Sequence, residues 1–176
     1  MNLLDLLDKK KNLFEHLFYE FEMYLKTYAE LGTISPDQED ADFKRNVLLE
    51  SHAVHLRNLI EFFNCEKNCL NMDTVFTGNH DLSFDDSTIR AKQTINKTID
   101  HLTKERYTWN QTEQDLTIRF NAVIHLMYNY YIVARIKSCI SLLANNTDIN
   151  ANVYSDLQDT GIQARLQNLE RVLHIQ

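Results

Sequence analysis

Two histidines, one arginine and two glutamates crowd into a single run, Leu48–Phe63, LLESHAVHLRNLIEFF. A histidine titrates near neutrality and can take or give a proton, and a guanidinium fixes an anion, so His55 with Arg57 is the first chemistry to weigh. Further along, Asn96, His101 and Arg106 supply the same residue types. If the two segments pack side by side, Glu50, His55, Arg57, Asn96, His101 and Arg106 form one candidate cluster for a small anionic ligand. The same set can also satisfy its own hydrogen bonds. Because buried polar groups must be satisfied, a closed structural network is the plainer reading.

Metal ligation has less support. Metal sites in bundles use Glu-x-x-His pairs from two or more helices, whereas Glu50 precedes His52 by two positions. Cys65-x3-Cys69 with His80 would hold zinc only with a fourth ligand that the neighbourhood lacks. No metal and no cofactor is therefore expected. A different reaction rests on Arg119 and His125, in Arg119-Phe-Asn-Ala-Val-Ile-His125. Residues six apart lie about 120° apart on a regular helix, so a shared pocket needs a second subunit or a local break.

Two resemblances follow from these residues. Glu50, His55, Arg57, Leu59, Ile60, Glu61 and Phe62 resemble the E-x4-H-x-R-x-L-I-(D/E)-F element of a group of bacterial all-helical proteins without an assigned activity. Ile95-Asn96-Lys97, His101-Leu102-Thr103, Arg106 and Trp109 resemble the N-K…H-L-T…R…W run that follows it there. The likeness covers about the middle third of the chain and implies a helical fold with a shared polar cluster; it implies no reaction. The Arg119–His125 spacing is similar to the Arg-x(4–6)-His pattern of HEPN-type helical ribonucleases, which implies metal-independent RNA cleavage across a dimer, of a toxin or phage-defence kind. Phe120 stands where that family usually carries a polar residue.

The elements that must position these groups read as helices. Phe14, Leu17, Phe18, Phe21, Tyr24, Leu25 and Tyr28 hold three-four spacing and predict a helix from about Leu3 to Leu31, stopped by a left-handed Gly32. Ser35-Pro36-Asp37-Gln38 predicts the start of a second helix that runs to about Asn64. On it, Leu49, Ala53, Leu56, Ile60 and Phe63 share one face, and Leu48, His52, His55, Leu59 and Phe62 form the neighbouring stripe, with both histidines partly buried. A long loop follows over about 64–85, with a short strand possible at Thr74–Thr77. A third helix is capped at Asp86 or Ser87, and a very long fourth runs from Thr112 to about Leu143 with Tyr130 and Ala134 on its buried face. Asn145–Thr160 reads as turn. A last helix, about 161–174, carries the seam Ile162, Leu166, Leu169 and Leu173, suited to docking on the bundle or on a second subunit.

The expected architecture is all-α, a bundle of about five helices around one very long central helix, in a single domain over 1–176. Only 3 Gly and 1 Pro occur in 176 residues, which favours long uninterrupted helices over tight turns. A formal net charge of −7 disfavours a broad grip on nucleic acid, which enters only under the ribonuclease reading. No apolar run approaches membrane-spanning length, and no leader pattern opens the chain, so a cytoplasmic protein without a membrane partner is expected. Three unevenly spaced cysteines, Cys65, Cys69 and Cys139, are expected as free thiols. Together these features point to a helical binding or interaction protein, not an enzyme, with a homodimer or protein partner engaged through the tyrosine-rich fourth helix or the terminal helix.

Overall fold

Phe14, Leu17, Phe18, Phe21 and Tyr24 are all buried on one face of the first helix, and that face is where the core begins. The computed structural model describes residues 12–35, 37–65, 70–78, 80, 82–84 and 130–175. Helix α1 spans Leu13–Leu31, and Asn12 caps it by accepting the Phe14 N–H at 3.0 Å. The expected left-handed stop at Gly32 is not there: Gly32 has φ −70°, ordinary helical backbone, and the chain leaves through a turn closed by Thr33 N–H to Glu30 O. The second helix also starts later than Ser35-Pro36 implied. Ser35 and Gln38 close a separate turn, and α2 spans Ala41–Phe63 after Asp40, whose φ of 60° breaks any continuity.

Helices α1 and α2 form an antiparallel hairpin. Phe21 stacks on Phe63 at 6.4 Å and meets Phe62 edge-on, while Thr27 faces His52 near the other end. Both apolar stripes of α2 are used: Ala53, Leu56, Ile60 and Phe63 are buried, and so are Leu59 and Phe62 of the flanking stripe.

The long loop, for which a short turn of helix is one expectation, contains the short helix α3, Met72–Val75, capped by Asn71. Beyond it, the possible strand reduces to one isolated antiparallel bridge, Phe76 with Ile149. Thr77 N–H donates to Asp148 O at 2.7 Å and Asn150 N–H to Val75 O at 2.8 Å, so the loop is stapled to a distant turn.

Residues 130–144 are helical, here α4, with Ile132, Ile136, Cys139, Ile140 and Leu143 buried. Tyr130, expected on the buried face, is instead 75% exposed, because the core register of this segment runs through the isoleucines. The rest of the expected long helix, and the expected third helix, lie outside the described residues. Arg135 ties α4 to the loop through Leu82 O and Ser83 O and lies over the Phe84 ring.

Asn145–Thr160 is not all turn. Asn150 caps α5, Ala151–Leu157, which buries only Val153 and Leu157. Asp159 then caps α6, Thr160–Leu173, by accepting from Gly161 and Ile162. Its seam, Ile162, Leu166, Leu169 and Leu173, is buried in the chain's own core. Arg165 fastens α6 to α1 with two bonds to the Glu22 carboxylate, 3.0 and 2.7 Å. The described residues are thus an all-α assembly of six helices about one shared core, without strands. Among them no helix is long and apolar enough to cross a membrane.

Candidate functional site

The side chains singled out on Leu48–Phe63 sit along the crevice between α1 and α2. His52 and His55 are buried more deeply than their flanking position implied, at 4% and 7% exposure. The α1 helix supplies their partners. His55 Nδ1 lies 2.7 Å from Glu20 Oε2, and its ring meets Tyr19 edge-on at 5.6 Å. His52 Nδ1 lies 3.0 Å from Thr27 Oγ1, and its ring stacks on Tyr24 at 4.5 Å. Burial, with Tyr28 adding to it, pushes the Tyr24 phenol far above its ordinary range, so it stays neutral.

Arg57 is half-buried, donates to Asn58 Oδ1 at 3.3 Å, and has its Nε 4.0 Å from Glu61. Glu50 is exposed one turn or more away. Between the helices a groove of about 190 Å³ is edged by His16, Glu20, Asn58 and Glu61 over an apolar floor that includes Leu17 and Leu59. Both side chains expected to grip an anion, His55 and Arg57, therefore have a carboxylate beside them, Glu20 and Glu61.

The other half of the candidate cluster, Asn96, His101 and Arg106, lies outside the described residues, and so do Arg119 and His125 of the ribonuclease reading. What the structure brings together is Glu20, Tyr19 and His55, with Thr27, Tyr24 and His52. Sequence reading missed Glu20. The available signal was a carboxylate at the edge of the α1 apolar stripe, where an opposing helix would meet it.

Cys65 and His80, considered for zinc, line the same small pocket. Cys69 lies outside the described residues, and among those described no three His, Cys, Asp or Glu groups gather to hold a metal ion. Cys65 and Cys139 are free thiols. Burial pushes the Cys65 thiol up, and the Asp73 carboxylate adds to this while backbone N–H groups oppose it.

A second feature is apolar. Phe43 is 69% exposed near the start of α2, and Val47, one turn on, is 49% exposed. They border an open groove of about 410 Å³ with Ile34 and Leu48, and Glu30 and Lys44 stand on its rim. No family model, curated protein or solved structure matches this chain.

Proposed function

We propose that this chain works by binding and not by catalysis, as a helical module that pairs with a second copy of itself through the loop end of the α1–α2 hairpin. The observation that carries this is Phe43, a large apolar side chain left in water beside a groove lined by Ile34, Val47 and Leu48. A knob next to a hole on one surface is self-complementary, because a two-fold axis sets each knob in the other's hole. The rim charges are of opposite sign, Glu30 and Lys44, so the same axis can set each against its opposite.

The terminal helix supports this reading less, since the four apolar residues of its seam are buried inside the chain. Tyr130 and Tyr131 remain exposed on α4 and offer the other apolar surface the sequence singled out. The closed state of His52 and His55 also favours a binding role, because a buried imidazole held by Glu20 has little room for a substrate. Sedimentation equilibrium tests the proposal: the full chain should associate with rising concentration, and Phe43→Glu should sediment as a monomer while keeping the wild-type circular-dichroism spectrum. A wild-type monomer throughout, or association that Phe43→Glu leaves intact, sinks it.

A further inference from the structure

Gln38 lines the groove beside Phe43, so the turn that carries it belongs to the same surface. That turn joins α1 to α2 and is held by two backbone bonds, Gln38 N–H to Ser35 O at 3.2 Å and Ala41 N–H to Gln38 O at 3.1 Å. Asp37 and Glu39 stand one Cα step of about 3.8 Å to either side of Gln38, and Asp40 follows; all three are exposed. Carboxylates before a helix often cap it, yet Asp40 makes no side-chain cap bond. Among the described residues none of the three has an ion-pair partner. Asp42, by contrast, is matched by Arg45 at 2.9 Å, and Glu30 has Lys26 at 3.9 Å.

A two-fold axis that sets Phe43 of each copy in the groove of the other brings both turns to one contact. Three unmatched carboxylates then face three, in a chain whose formal net charge is already −7. The rim pairs between Glu30 and Lys44 attract, but both residues reach water, and exposed pairs contribute little. Salt decides how far the repulsion reaches. A standard contact covers about 800 Å² per partner and is roughly 30 Å across, while the Debye length is about 30 Å at 0.01 M salt and about 8 Å at 0.15 M. The two turns therefore repel in dilute salt and are screened at physiological strength, where the burial of Phe43 and Val47 is undiminished.

We infer that the acidic turn is a salt-sensitive brake on self-pairing, so that the chain stays mostly monomeric in dilute salt and pairs as ionic strength rises. This rests on pairing through the Phe43 groove and adds its regulation. A contact held chiefly by ion pairs has the opposite response, since screening weakens attraction as well as repulsion.

Sedimentation equilibrium of the full chain in about 10 mM and about 150 mM sodium chloride tests the brake, beside the triple variant Asp37→Asn, Glu39→Gln, Asp40→Asn. These replacements keep side-chain shape, and asparagine suits the left-handed backbone of Asp40, φ 60°. The wild-type dissociation constant should fall at least about tenfold between the two salts, and the variant should pair in the lower salt about as tightly as wild type does in the higher. Wild-type pairing that weakens with salt, or a variant that keeps the wild-type salt response, overturns the brake and leaves the pairing standing. Monomers of both chains at both salts overturn the pairing itself, and the brake falls with it.

Discussion

Removing the tie between Glu20 and His55 should cost the chain a measurable part of its stability, and a double-mutant cycle isolates that cost. The contact is short, 2.7 Å, with side-chain exposures of 24% for Glu20 and 9% for His55. A hydrogen bond to a charged group contributes about 1.5–3 kcal/mol, whereas exposed ion pairs contribute about 0.2–1 kcal/mol. Partial access of Glu20 to water places this pair between the two ranges, at about 1–2 kcal/mol of coupling. Glu20→Ala, His55→Ala and the double variant supply the cycle, which also cancels the packing that His55→Ala loses against the Tyr19 ring. For a chain of this length, about 2–4 °C of melting temperature accompanies each kcal/mol, so the coupling should appear as roughly 2–8 °C of non-additivity in circular-dichroism melts. Strictly additive melting shifts would mean that the two side chains do not meet, and the reading of the α1–α2 crevice would fall with them.

Two other outcomes follow from the core. Phe21 is fully buried and touches Phe18, Phe62 and Phe63; Phe21→Ala should destabilise by about 3–5 kcal/mol, and a urea midpoint close to wild type would contradict that packing. Burial pushes the Cys139 thiol and the Tyr24 phenol far above their ordinary values of 9.0 and 10.0. The folded chain therefore keeps protons that the unfolded chain releases. Their contribution is complete below about pH 9 and is lost as pH rises, with a slope approaching 1.4 kcal/mol per pH unit for each group; a urea midpoint that stays level from about pH 8 to pH 11 would refute the burial of both.

Helical class was legible because it depends on local information. Scarce glycine and proline, and stripes such as Phe14 to Tyr24, report periodicity within one segment, and the two stripes of α2 are both buried. Where local signals have two outlets, reading failed. Ser-Pro-x-Gln favours a helix start but serves equally well in a turn, and the helix waits until Ala41. Tyr130 lay in phase with Ala134, yet the isoleucines one register away hold the core. Helix α5 escaped notice because two buried residues four apart make no visible period.

The polar partners were hidden for a different reason. His55 is separated from Glu20 by 35 positions and Thr77 from Asp148 by 71, and no pattern along the chain announces which carboxylate or carbonyl will face which donor. Gly78 shows the limit most sharply. In the sequence it is one residue of the long loop, where flexible backbone is what glycine usually supplies. In the fold its φ is not positive, and its neighbours are the ends of the His80 and Asp148 side chains, the second of them brought from the far end of the chain. Such neighbours become visible only when segments distant in the chain are in place, and that is why the surroundings of Gly78 could not be read from spacing.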